Sequence, residues 1–313
     1  MVDNDSTGAS DAADPPATGS MQLFSSYAPA LVAQPEPYVL SATQTIQCGD
    51  QKLTKVTKST FTVDAPRFSL PADDIHSVYP HEGASEAPRV LPHIVFNDPH
   101  LPWERSPTEA EDAPSGRPPW LALLVFSSDE LQLTSLPGKT VKKSTPASPS
   151  GSATRSLTAS GTALAEADRA DGSHLRCPNL NNHEAFEADE TTSYIVLNKS
   201  TFEMLFPKQT LQGNTAPVPL ENFTYCAHVR KVTIGSITEP FSVIFSHRTA
   251  LVHDTGAPQT AYVHLVSLDG IIDTLKHRPL ATAVEQIALI SLYSWTYRAA
   301  PADPMSYEMS YKR

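Results

Sequence analysis

The chain has 313 residues, with 34 acidic and 23 basic side chains, a net charge of −11, and 40% hydrophobic against 18% charged residues. That length and apolar content allow one large or two small domains. The longest apolar run, Trp120 to Phe126, ends well short of the roughly 18 residues that span a bilayer, so no membrane-spanning segment is expected.

Nucleic acid is an unfavourable partner, because phosphate binding draws on clustered Lys and Arg. Here the basic cluster is confined to Lys139, Lys142 and Lys143 in a Ser/Thr/Pro-rich stretch. The same deficit argues against an anionic membrane surface. Three cysteines, Cys48, Cys177 and Cys226, are odd in number and lack a C-x-x-C pair. A reducing, cytoplasmic setting therefore fits better than a disulfide framework. In that setting the sequons at Asn198 and Asn222 carry no meaning. The polar, acidic start has no basic region or apolar stretch, and residues 1–30 read as a disordered tail. With 28 prolines to 13 glycines, long helices are largely excluded, since each proline fixes φ and removes a donor.

In chain order, Tyr38–Gln47 and Lys58–Val63 read as strands of a hairpin around a Gly49-Asp50-Gln51 turn. The proline-punctuated stretch Ala65–Pro71, then Ile75–Pro80, reads as extended chain lying over a sheet. Val90–Phe96 is a strand that Pro92 places at an edge. Trp120–Phe126 is the best candidate for a strand buried on both faces. From about 134 to 173 the composition turns to Ser, Thr, Ala, Pro and Lys without apolar periodicity, which predicts a disordered insertion. Thr192–Leu197 is a strand, and Ser200-Thr201-Phe202-Glu203 has the spacing of a capping box opening a short helix. Leu220–Val229 fits either period and slightly favours helix. Phe241–Phe245, Ala261–Leu268 and Ile287–Tyr297 are strands, the last central and preceded by a helical turn at Leu280–Gln286. The expected fold is α+β: a β-rich, mainly antiparallel sandwich or open barrel with few short helices. It forms a single domain over 31–313, interrupted at about 134–173.

Phosphate loops, dinucleotide fingerprints, nucleophile elbows and zinc-protease helix pairs are absent from the sequence. The late group Cys226, His228, His247, His253, Asp254 and His264 offers a metal reading, with His247, Asp254 and His264 as zinc ligands or as a base and its orienter. Against it, a histidine inside an apolar strand is more often a hydrogen-bonded core residue. Leu101-Pro102-Trp103-Glu104-Arg105 offers an interaction surface, an indole beside a carboxylate and a guanidinium able to grip a carboxylate. Its plain alternative is a Trp packed over the edge of the core with Glu104 and Arg105 paired or solvated. The carboxylates Asp73-Asp74, Asp129-Glu130 and Glu187–Glu190 read as solvated faces, without the spacing of a calcium loop.

The blocks Pro66-Arg67-Phe68, Ser77–Pro80, Leu91–Val95, Leu101–Arg105, Pro119–Leu124, Ala227–Arg230 and Ser291–Tyr297 together resemble a group of uncharacterised proteins from filamentous fungi and bacteria. The resemblance covers most of the ordered chain and implies a shared fold, with no activity and no catalytic residues. It also implies that the polar end, Ala299–Arg313, is a shortened terminus. The first functional expectation is a non-enzymatic structural or protein-interaction domain presenting Trp103, Glu104 and Arg105 to a protein partner, with no cofactor. The alternatives are a zinc-dependent hydrolase or metal-binding domain using His247, Asp254 and His264, and a small-molecule carrier.

Overall fold

The computed structural model describes residues 16–34, 36–107, 118–132, 154–169, 174–180, 190–207, 220–252, 257–276 and 284–300. In chain order the elements are β1 (Met21–Phe24), β2 (Tyr38–Cys48), β3 (Gln51–Phe61), β4 (Ile75–Tyr79), β5 (Ser85–Glu86), β6 (His93–Phe96), β7 (Leu121–Phe126), β8 (Leu131–Gln132) and β9 (Leu157–Ser160). There follow α1 (Gly161–Arg169), β10 (Leu175–Arg176), β11 (Thr191–Asn198), α2 (Lys199–Leu205), α3 (Glu221–Thr224), β12 (Ala227–Ile234), β13 (Ile237–Phe245), β14 (Gln259–Ser267), α4 (Ile271–Lys276) and β15 (Gln286–Ala299). The fold is β-rich and mainly antiparallel with few short helices, as the composition and proline content require.

Two sheets pack face to face. The first has the order β1-β12-β13-β6-β4; the second has the main path β7-β14-β15-β11-β8, with β5 and β10 pairing β15 in parallel and β9 pairing β11. Between them lies one apolar layer: Ile94, Phe96, Val229 and Ile244 from the first sheet meet Leu121, Leu123, Val125, Val263, Leu265, Trp295 and Tyr297 from the second. The second sheet's other face carries Ala122, Leu124, Phe126, Ile195, Leu197, Ile287 and Leu289, covered by Phe202, Leu205 and Phe206 of the α2 region and by Phe223 and Ile271. Strand side chains alternate between faces, so β7 feeds both layers, and all six of its residues are buried. This is why Trp120–Phe126 reads as an unbroken apolar run although β7 ends its sheet. Its outer edge is capped by the Arg248 guanidinium, whose Nε donates to the Val125 carbonyl at 2.7 Å while Nη1 donates to Glu130 Oε1 at 2.9 Å. Arg248 thus covers the Val125 carbonyl, and an isolated bridge from Leu123 to Ser246 occupies another part of the same edge.

Several expectations are corrected. Residues 16–30 are not a free tail: β1 pairs β12 in register from Met21–Val232 to Phe24–Val229. The Ile75–Pro80 stretch is extended as expected, but it is a regular strand within the sheet rather than a chain lying over it, because β4 aligns Val78 with Ile94 and Tyr79 with His93. β6 lies inside its sheet, between β13 and β4. Pro92 precedes the strand, where its missing donor costs nothing and its carbonyl accepts from Ser246 N at 2.9 Å. The α2 helix forms where expected, but its N-cap is Asn198 and no side-chain cap is made, so the capping box is not the starting device. Leu220–Val229 divides between its two periods, α3 followed directly by β12.

The largest correction concerns the expected insertion. Residues 154–169 form β9 and α1, with β9 aligned on β11 from Thr191–Ser160 to Tyr194–Leu157. Leu157, Leu164 and Ala165 join Tyr194, Val196, Ala288 and Ile290 in a third core cluster. The remainder of 134–173 lies outside the described residues, as do residues 1–15 and most of the helical turn expected at Leu280–Gln286; its described end, 284–286, is not helical, and Gln286 already opens β15.

Candidate interaction surfaces

The Trp103 region sits where a 3-10 turn, Leu101–Trp103, follows β6 and delivers the chain toward β7. Trp103 has no exposed surface and Arg105 is 6% exposed. Arg105 Nε donates to Asp269 Oδ2 at 3.0 Å, its Nη1 donates to the Ala65 carbonyl at 3.2 Å, and its guanidinium lies 6.0 Å from the Trp120 ring centroid. Trp120 in turn donates its indole N–H to the Leu101 carbonyl at 2.6 Å. These side chains therefore clasp the turn to the core and do not form the exposed recognition surface expected of Trp103, Glu104 and Arg105. The sequence carried no sign of Asp269, the distant partner that makes Arg105 a core residue. Glu104 is partly buried, and its carboxyl is pushed up to about 7 by desolvation, then by the charges of Asp98 and Asp74 and a hydrogen bond with Asp98, against the opposing pull of Arg105.

The late histidines are spread over different environments. His264 is fully buried in β14. Its Nε2 lies 3.0 Å from the Thr154 carbonyl and its Nδ1 lies 3.0 Å from Ser291 Oγ. A carbonyl only accepts, so Nε2 carries the proton and Nδ1 accepts from the serine hydroxyl. Both ring nitrogens are thus engaged, and burial lowers the pKa to about 3, so the ring is neutral at pH 7. Thr154, Ser156 and Ser294 continue this buried polar chain, with Ser294 Oγ donating to Thr154 Oγ1 at 3.0 Å and Thr154 Oγ1 lying 3.2 Å from Ser156 Oγ. Arg155, between the two, adopts a left-handed φ of 61° that turns its neighbours inward. His247 is exposed and sits edge-on to Phe223, at 5.3 Å between centroids. Asp254, the third residue of the expected metal set, lies outside the described residues with His253. Among the described residues no three His, Cys, Asp or Glu side chains are gathered so as to hold a metal ion.

His228 belongs instead to a row of rings across the first sheet. Tyr79 and His93 lie 5.3 Å apart, His93 and Phe245 4.9 Å, and Phe245 and His228 5.4 Å in a stacked pair. Their neighbours Val78, Ile94, Ile244, Ala227 and Val229 pack in the inter-sheet core, so alternation puts the ring row on the outer face. Arg230 Nε donates to His228 Nε2 at 2.9 Å. Partial burial, and then the Arg230 charge and His93, lower the His228 pKa, which keeps a lone pair free for that bond.

The element least like the rest is the β2–β3 hairpin. Its register runs from Tyr38–Phe61 to Cys48–Gln51, and it forms a two-stranded sheet of its own. Every residue of β3 is exposed, and every residue of β2 beyond Tyr38. Directly opposed residues share a face, so one face carries Tyr38, Leu40, Ala42, Ile46, Cys48, Leu53 and Phe61 interspersed with Gln44, Gln51, Lys55, Thr57 and Ser59, while the other carries Val39, Val56, Lys58, Lys52 and a group of threonines. Leu40, Ile46 and Leu53 are 62%, 63% and 67% exposed. At the base, Tyr38 Oη donates to the Val32 carbonyl at 2.8 Å, and its ring stacks on Phe61 at 5.6 Å.

No family model, no curated protein and no solved structure matches this chain. Among the described residues no helix is long and apolar enough to cross a membrane.

Proposed function

We propose that the protein is a structural or protein-interaction module whose contact element is the β2–β3 hairpin. One observation carries the reading: a ribbon of two 11-residue strands is exposed on both faces. An isolated two-stranded hairpin is marginal in water and gains independent stability by packing a hydrophobic face. Burying Leu40, Ile46 and Leu53 against a partner would supply about 1.5–3 kcal/mol for each side chain fully covered. The interaction expected of Trp103 and Arg105 is thus reassigned to the hairpin, and those two side chains take a supporting role in the core. The zinc reading has less support, because both nitrogens of His264 are already engaged.

The test is site-specific incorporation of a photo-crosslinking residue in cells at Leu40, at Leu53 and, as an exposed control, at Tyr225, which is 75% exposed. The reading expects discrete protein adducts from the two hairpin positions at several times the control yield. Adduct yields equal to the control would overturn it.

A further inference from the structure

We propose that the outer face of the second sheet carries a phosphate-binding site formed by Arg155 and Arg298 beside Tyr262 and Thr260. The site uses no residue of the hairpin and does not rest on the reading above.

Placement follows from the register of β14 on β15, where Tyr262 opposes Thr296 and Thr260 opposes Arg298. Their neighbours Ala261, Val263, Trp295 and Tyr297 belong to the inter-sheet core, so alternation turns these four side chains to the sheet's other face. Arg298 is the diagonal neighbour of Tyr262, a separation that long side chains bridge. Arg155 reaches the same place from the chain before β9, with its guanidinium 5.8 Å from the Tyr262 ring centroid. Thr154 and Ser156, on either side of it, are buried. They fix the chain there, with Thr154 Oγ1 accepting from Ser294 and the Thr154 carbonyl facing His264 Nε2. Thr260 and Arg298 are exposed while Tyr262 and Arg155 are partly buried, so the site is open to solvent at its Arg298 end.

Two features of Arg155 point to a ligand. It takes a left-handed φ of 61°, a region that side chains other than Asn and Asp rarely enter and whose cost is retained mainly where function uses it. Its Nε is buried without a hydrogen-bond partner, an arrangement that a bound acceptor relieves. Arg105, Arg176 and Arg248 each face a carboxylate. Among the described residues the guanidiniums of Arg155 and Arg298 make neither a hydrogen bond nor an ion pair. Two unneutralised cations on one face of a chain of net −11 define a local anion site. A carboxylate spends its two oxygens and single charge on one guanidinium. A phosphate group carries up to two charges and further acceptor oxygens, so it suits two guanidiniums arriving from different elements, with the Thr260 hydroxyl as a neutral donor.

The experiment titrates inorganic phosphate into the isotope-labelled full chain at constant ionic strength and follows backbone amide shifts by NMR. The expected result is saturable shifts at Arg155, Tyr262 and Arg298, with a dissociation constant of about 1 mM or below. Acetate should leave these amides unmoved. Arg298→Gln, at an exposed position, and Arg155→Gly, which suits the left-handed backbone, should each weaken phosphate binding about tenfold or more. Lys55→Gln, on the hairpin, should bind as the unaltered chain does. If Arg155→Gly does not fold, Arg298→Gln and the shifts of the unaltered chain decide the matter. Phenyl phosphate tells the sources of the group apart: tighter binding than inorganic phosphate assigns an ester, equal binding assigns the free ion, and either supports the site. No saturable shift at these amides, acetate binding as tightly as phosphate, or unchanged affinity in folded Arg298→Gln would overturn the proposal.

Discussion

Removing the Arg105 guanidinium tests whether the Leu101–Arg105 block belongs to the core. Arg105→Met keeps the apolar stem but takes away the charge facing Asp269, whose side chain is 3% exposed. It also removes the donor to the Ala65 carbonyl. Breaking a buried pair by deleting one partner costs about 3–5 kcal/mol, because the remaining charge stays desolvated, whereas removing both partners is often near neutral. We expect Arg105→Met to cost about 3 kcal/mol, a large part of the 5–15 kcal/mol that holds a typical protein folded. Asp269→Asn should cost a similar amount, and the double variant much less than the sum. The assay is urea unfolding followed by tryptophan fluorescence, with the coupling energy taken from the double-mutant cycle. A cost below about 1 kcal/mol for Arg105→Met, with coupling near zero, is the behaviour of a solvated surface pair. It would return this block to the surface and refute the assignment.

Two pH dependences follow from buried groups and run in opposite directions. His264 has its pKa lowered from 6.5 to about 3. The unfolded chain therefore takes up a proton first, and stability is lost as pH falls from 6.5 towards 3, at up to about 1.4 kcal/mol per unit; His264→Gln should flatten that limb in acid unfolding curves. Glu104 has its carboxyl raised from 4.5 to about 7, so the folded state prefers the protonated form and stability falls as pH rises from 4.5 to 7. Glu104→Gln keeps a donor toward Asp98 and should raise stability by about 1–2 kcal/mol at pH 8, after allowance for solvent screening, with no change at pH 4; equal unfolding midpoints at pH 8 would disprove the assignment.

Much of the fold was legible because the relevant signals are local. The run Trp120–Phe126 announced a strand buried on both faces, and Ile287–Tyr297 a central one; these became β7 and β15. The Gly49-Asp50 turn between alternating segments announced the hairpin, and Gly49 does take a positive φ of 59°. Local signals failed where partners are distant in sequence. Thr154 and Ser156 look like linker residues, yet they are buried because His264 and Ser294, over a hundred positions away, need polar neighbours inside the core. Met21–Phe24 has no strong strand pattern of its own and is ordered by pairing with β12. Trp103 and Arg105 read as a recognition pair because the sequence beside them contains no hint of Asp269. The hairpin was legible as two strands, but its isolation was not, since exposure depends on what fails to pack on it.

Amide hydrogen exchange across residues 38–61 of the purified chain tests the interaction account most directly. If the arm is a contact element, adding cell extract to the purified chain slows exchange of its amides at least tenfold. The same exchange rate with and without extract would contradict the claim that this ribbon is an interface.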